Sequence, residues 1–237
     1  MPSLLAFDTS TERIHLAVVR GDTIRVREAE GGALASRELI PMLLGLLDEV
    51  GLTPAVLDAV AFGRGPGAFT GLRTACSVAQ GLAWGIGKPV LAIDSLLASA
   101  EDARAGASHW RGWVTMDARM DEVYAAAYAF DAGRWQTVAA PRLMTPMQLA
   151  DAWSVEPPAT VAGSALVAFG VRLPTGAALL TPLAAPRGAA LAALALAQWN
   201  DGQTLDPALA LPTYLRDKVA QTVAEREALA RTKQVLR

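Results

Sequence analysis

The sequence predicts an α/β fold made of two similar halves, each ordered β-β-β-α-β-α, in which mixed sheets are flanked by helices. Three observations predict it. Trp113-Val114-Thr115-Met116-Asp117 repeats the strand-then-aspartate pattern of Leu4-Leu5-Ala6-Phe7-Asp8, 109 residues later. At the same offset, Val123, Ala125 and Ala127 fall where Ile14, Leu16 and Val18 fell. In each half, strand-like alternation then gives way to runs whose apolar residues recur at helical spacing. The halves divide at about residue 105, into 1–105 and 106–237. Facing each other they would enclose a cleft, with Asp8 and Asp117 at equivalent places.

The elements follow in order. Residues 3–7 are an apolar strand ending in the turn-forming cluster Asp8-Thr9-Ser10-Thr11. Ile14, Leu16 and Val18 mark a second strand, Gly21-Asp22 a hairpin turn, and residues 23–30 a third strand. Leu39, Ile40, Leu43, Leu44, Leu46, Leu47 and Val50 give a helix over 36–50, with Ser36 as N-cap and Pro41 marking a kink or a later start. The apolar positions are too many for one narrow stripe, which predicts burial on two faces. A strand at 59–62 precedes the glycine-rich stretch. The helix after it, 70–86, is dense in small residues: Gly71, Ala75, Ala79, Gly81, Ala83 and Gly85. Glycine inside a helix costs about 1 kcal/mol against alanine, so three of them predict close backbone approach by another element. Gly87 and Pro89 end it. A strand at 90–93, an N-cap at Asp94-Ser95 and a helix at 96–105 close the first half. In the second half, Asp131-Ala132-Gly133 is a hairpin turn, 135–139 a third strand, 145–153 a helix, 160–164 an echo of 59–63, and 186–199 an Ala/Leu-rich helix. From Leu211 onward the chain is strongly charged, and 226–237 reads as a solvated helix.

Composition bounds the function. The chain has 237 residues, 52% hydrophobic and 19% charged, with a net charge of −2. That balance excludes a dominant electrostatic grip on nucleic acid by this chain alone. The single cysteine, Cys76, lies in an apolar helical segment and reads as a small buried hydrophobe. The two histidines, His15 and His109, are far apart, and no Cys/His cluster has metal-ligand spacing. The first residues lack a basic region and carry Asp8 early, and runs such as 188–200 fall short of the ~18 residues of a spanning helix. The expectation is a cytoplasmic protein.

The chemistry-bearing stretch is F-G-R-G-P-G-A-F-T-G-L-R at 62–73, four glycines and a proline between a strand and a helix. Such a turn leaves backbone N–H groups at a helix N-terminus, where an anion or another backbone can sit. Read as a nucleotide site it would join Gly65 and Gly67 to Asp8, Thr9 and Ser10, with Asp8 or Asp117 placing a magnesium ion as in a small ATP-dependent kinase of the sugar kinase type. Read structurally, the stretch is a tight connection and each aspartate caps its own turn. The second half lacks the glycine-rich hallmark, since Leu173-Pro174-Thr175-Gly176 is a poor copy, and this weighs against the kinase.

The duplicated halves with a turn aspartate after strand one resemble the acetate kinase, sugar kinase, Hsp70 and actin superfamily. Within it, L-L-A-F-D-T-S at 4–10, the stretch at 62–73, M-D-A-R-M-D-E-V-Y at 116–124 and P-T-Y-L-R at 212–216 resemble the TsaB (YeaZ) family, in order and over nearly the whole chain. The resemblance implies a non-catalytic dimerisation and scaffold subunit for threonylcarbamoyl transfer to the anticodon-adjacent adenosine of tRNA. It would support a catalytic paralogue, TsaD, together with an ATPase, TsaE. It implies a homodimer in isolation, contact with tRNA only through the complex, no membrane, and no cofactor required by this chain alone, ATP or ADP and Mg entering at the level of the complex. Pairing would use the first two helices, with Leu39, Leu43, Leu47, Gly71, Ala75, Val78, Ala79 and Leu82 at the contact. A glutamate at Ala75 or Ala79 is then expected to abolish pairing and spare the fold. One departure is that residues 35–38 read Ala-Ser-Arg-Glu, where many relatives carry a histidine. This agrees with a non-catalytic role and leaves a metallopeptidase without ligands.

Overall fold

Ser3–Asp8 (β1), Arg13–Arg20 (β2) and Thr23–Glu30 (β3) form the expected antiparallel meander, and Ala59–Gly65 (β4) and Val90–Asp94 (β5) add to it in parallel. The strand order is β3-β2-β1-β4-β5. Trp110–Asp117 (β6), Val123–Asp131 (β7), Arg134–Met144 (β8), Thr160–Ala162 (β9) and Leu179–Thr181 (β10) make a second sheet of order β8-β7-β6-β9-β10, the same arrangement five strands on. The duplication read from the offset of 109 residues is thus a duplication of topology. The structure, a computed structural model, describes residues 1–216. The solvated helix expected at 226–237 lies outside the described residues.

Both faces of the first sheet are covered, so its strands are apolar on both. Leu5, Phe7, Val60 and Phe62 pack beneath the helices Ala35–Glu49 (α1) and Phe69–Ile86 (α2). Leu4, Ala6, Ala59 and Ala61 face the other way, onto Leu191, Ala192, Leu194 and Ala195 of Gly188–Asn200 (α6). That face is alanine-rich, and α6 lies so close that a Cβ on Gly188 would collide with the Leu16 carbonyl. The Ala/Leu composition of α6 follows from this position, because a helix apolar on most sides must be buried. Ser95–Arg104 (α3) reaches both sheets, with Ala98 among the first sheet's residues and Leu96 and Ala100 among the second's. Pro146–Val155 (α4) and Ala165–Phe169 (α5) cover the far face of the second sheet through Leu149, Trp153 and Phe169. The strands divide between residues 94 and 110, but α6, from the second half of the chain, completes the first half's core.

Local expectations need three corrections. Ser36 is not an N-cap: α1 starts at Ala35 after a short 3-10 turn at Gly32–Leu34, with Leu34 in the cap position and no side-chain cap. Pro41 does not delay the start, since it lies inside α1. The sequence reading also missed α5 and β10, which are short. By contrast Asp94 does cap α3, accepting from the N–H groups of Leu96 and Leu97. Gly87 ends α2 at φ 64°, in the left-handed region that glycine enters without cost.

Candidate functional site

The glycine-rich stretch is shaped around the chain's own first turn. A Cβ on Gly63 would sit inside the Asp8 carboxylate, one on Gly67 against the Ser10 backbone, and one on Gly71 against the Thr9 carbonyl. Hydrogen bonds fasten the same contact. Thr9 Oγ1–H donates to the Gly71 carbonyl (2.7 Å) and the Ala68 N–H to the Ser10 carbonyl (2.8 Å). Asp8 is fully buried. Its Oδ1 accepts from the Ser10 N–H (2.6 Å), and its Oδ2 from the Ser95 hydroxyl (2.6 Å), whose oxygen accepts in turn from the Gly65 N–H (3.1 Å). Three glycines spaced by four are therefore required because the Asp8-Thr9-Ser10 turn lies against each of them.

Between the halves lies a cavity of about 650 Å³. The four sequence motifs converge on it. Ser10 and Gly67 line it from the first half, Asp117 and Arg119 from the second, and Thr213 to Arg216 across both. The last segment is a strap. Thr213 donates its N–H to the Arg64 carbonyl (2.6 Å) and accepts from Arg64 Nε at Oγ1 (2.8 Å). The Tyr214 hydroxyl accepts from Arg73 Nε (3.1 Å) and its ring lies 5.3 Å from that of Phe69. At the other end, Arg216 donates to the carbonyls of Ala118 and Arg119 and pairs with Glu122 at 2.6 Å.

Those carbonyls belong to an unusual turn: Arg119, Met120 and Asp121 have φ of 61°, 54° and 63°, three consecutive side-chain-bearing residues in the left-handed region. Asp117 Oδ1 accepts from the Arg119 N–H (2.8 Å), and Asp117 donates its own N–H to Ser164 Oγ (3.1 Å). Asp117 and Asp8 thus both cap their own turns. Arg119 also pairs with Glu12 across the cleft at 2.9 Å. The remaining cleft arginines are matched as well, Arg13 with Glu28 and Arg187 with Asp102.

Two groups beside the cleft, His15 buried and Asp102 partly buried, shift in a defined direction. His15 is 1% exposed, and burial lowers its pKa below the usual value of 6.5, outweighing Asp8 and Glu28, which pull it up. Its Nδ1 stands 3.2 Å from Glu28 Oε2, but neither ring nitrogen makes a hydrogen bond among the described residues. Burial also raises the Asp102 carboxyl, against the Ala185 N–H and Arg187, which favour its charged form.

Of the six residues read as nucleotide-binding, Ser10, Gly67 and Asp117 line the cleft. Asp8 and Thr9 lie behind it, committed to the bonds above, and a Cβ on Gly65 would meet Leu72 and the strap's Thr213 carbonyl. Sequence reasoning missed Ser95 as the partner of Asp8. The strap residues were visible only through the P-T-Y-L-R motif.

The two-helix surface needs a larger correction. Leu39, Leu43, Leu47, Gly71, Ala75 and Ala79 are buried within this chain, against its own sheet and first turn, and of these only Leu43 and Leu47 line a surface depression. Only Val78 and Leu82 of the expected contact set are partly exposed. The expectation for Ala75→Glu and Ala79→Glu is accordingly reversed: both would break the core. The outer surface is instead Ile40, Leu44 and Trp84, 44%, 45% and 69% exposed, with Ile40, Leu44, Pro54 and Leu82 around a shallow depression. Gly81 and Gly85 are exposed on α2, and a Cβ on either would meet nothing within 4 Å. Close approach inside the chain explains Gly71 and leaves Gly81 and Gly85 unexplained.

Among the described residues no group of three or more His, Cys, Asp or Glu side chains could hold a metal ion, and no helix is long and apolar enough to cross a membrane. Topology and cleft together define a protein of the duplicated α/β class, two mixed sheets flanked by helices with a cavity between the halves. The family model for TsaD, tRNA N6-adenosine threonylcarbamoyltransferase, matches residues 33–175. The tRNA threonylcarbamoyladenosine biosynthesis protein TsaB of Escherichia coli is 30% identical over 92% of this chain and 96% of its own length. The TsaB protein of Haemophilus influenzae is 42% identical over 52% of each chain. The solved structure of YeaZ from Pseudomonas aeruginosa superposes with a TM-score of 0.82 at 35% identity, covering 91% of this chain and all of that one. The chain belongs to the TsaB (YeaZ) family.

Proposed function

We propose that this chain acts in the threonylcarbamoyladenosine modification of tRNA as a non-catalytic scaffold subunit. It pairs through the outer surface of α1 and α2 with a TsaD-like catalytic paralogue, or with a second copy of itself in isolation. The observation that carries the pairing surface is the pair Gly81 and Gly85, exposed on α2 beside Trp84. Each costs helix stability of about 1 kcal/mol, and nothing among the described residues needs it, so the missing side chains serve an element from outside. The names of the relatives support the pathway. The commitment of both Asp8 oxygens to Ser10 and Ser95 supports the non-catalytic role, because a carboxylate so occupied is not free to position magnesium. In this reading a TsaE-like ATPase joins the complex, ATP or ADP and Mg act there rather than on this chain, tRNA is met only through the complex, and the setting is the cytoplasm.

Reconstitution tests it. The catalytic paralogue, the ATPase, the threonylcarbamoyl-AMP donor and tRNA are combined with and without this chain. Modification should require it, and the lone chain should not transfer phosphate from ATP. Unchanged modification in its absence, or robust phosphate transfer by the chain alone, would refute the proposal.

A further inference from the structure

We propose that the cleft between the halves binds a small amphipathic monoanion, an aromatic or short aliphatic body carrying one carboxylate, rather than a nucleoside polyphosphate. The volume of about 650 Å³ is that of a small-molecule site. The anionic end is placed by α2. This helix starts with Ala68 in the cap position and no side-chain cap, so its first N–H groups lack the acceptor most helices supply. Together with the helix dipole they favour an anion. A second, independent feature lies at the same place. Ser10, against Gly67, lines the cavity, is 2% exposed, and its Oγ has no hydrogen-bond partner among the described residues. The His15 ring, also lining the cavity, makes no hydrogen bond among the described residues either, although Glu28 Oε2 stands 3.2 Å from its Nδ1. Buried polar groups are seldom left without partners, and two in one wall mark the place of a missing acceptor or donor.

Charge balance sets the limit of one negative charge. Arg13, Arg119, Arg187 and Arg216 each pair with a carboxylate of the chain, so a triphosphate would meet no unmatched cation among them. The body of the ligand is set by Val167, Leu183 and Met120, which line the cavity yet are 71%, 73% and 52% exposed. Covering them is favourable for an apolar group and for nothing strongly hydrated.

The test uses the isolated chain, so it stands apart from the modification assay. Saturation-transfer NMR and calorimetry are run with 1-naphthylacetate, indole-3-acetate and decanoate, the methyl ester of each, and MgATP. The acids should bind saturably, with one site per chain, about tenfold more tightly than their esters, the factor for one charge-assisted hydrogen bond. Val167→Asp, at an exposed position, should abolish binding with an unchanged melting temperature. Ser10→Ala should weaken the acids by about tenfold and leave the esters unaffected. Absence of binding by all three acids, equal binding of acids and esters, or tighter binding of MgATP would each overturn the proposal.

Discussion

Replacing Ala79 by glutamate and, separately, Trp84 by glutamate distinguishes the core of α2 from its outer surface. Ala79 is fully buried in the cluster formed by β1, β4, α1 and α2. A glutamate there must force apart a close-packed layer, at about 1–3 kcal/mol. It must also bury a carboxyl group with no partner, which costs several kcal/mol even when the group takes up a proton. The sum, on the order of 5 kcal/mol, consumes much of the roughly 5–15 kcal/mol that holds a domain folded. For a chain of this size that corresponds to a fall in Tm of about 10–20 °C. Trp84 is 69% exposed, so its replacement should move Tm by no more than about 3 °C. It should nonetheless place a charge in the proposed contact and abolish pairing. Circular dichroism melts and light scattering at micromolar concentration read both quantities. A stable, monomeric Ala79→Glu, or a Trp84→Glu that pairs as well as the parent chain, would refute the assignment of the two faces.

Other expectations follow from single contacts. Ser95→Ala removes the donor to Asp8 and the acceptor for Gly65, leaving two buried polar groups unpaired. The urea midpoint should report a loss of about 3 kcal/mol. His15 has a folded pKa below its unfolded value, so the unfolded chain binds more protons as pH falls through the histidine range. Stability should therefore be full above that range and decline below about pH 6.5, and His15→Gln should flatten the decline in melts taken from pH 7.5 to 5.5. Cys76 is 5% exposed, and burial raises its thiol pKa. A disulfide reagent such as Ellman's should label it orders of magnitude more slowly in buffer than in denaturant.

Much of this architecture was legible because strands covered on both faces leave strong marks. The apolar runs at 4–7 and 59–62, each ending in a polar or glycine-rich turn, locate the two parallel neighbours at the centre of the first sheet. The offset of 109 residues then supplies the second sheet. What stayed hidden depended on partners distant in sequence. Leu39 and Ile40 are equally apolar, and only the position of the sheet decides that one is buried and the other half exposed. The glycines of α2 look alike in the sequence as well. Gly71 is required by a carbonyl 62 positions earlier, whereas a Cβ on Gly81 would meet nothing within 4 Å among the described residues. Spacing within one helix cannot separate these cases. Ser95 was equally obscure, since a serine after a capping aspartate carries no sign of a bond to Asp8.

The position of α6 bears on how the chain is born. On the ribosome the strands of the first sheet emerge early, with α1 and α2 to cover one face. The other face, lined by Leu4, Ala6, Ala59 and Ala61, waits for a helix that ends at Asn200. Until then a sheet of apolar strands lies open to water and to neighbouring nascent chains, which is the situation chaperones attend. A chain of two like halves therefore cannot finish its first core before its second half is made. The two halves must mature together, and each carries the other's missing wall.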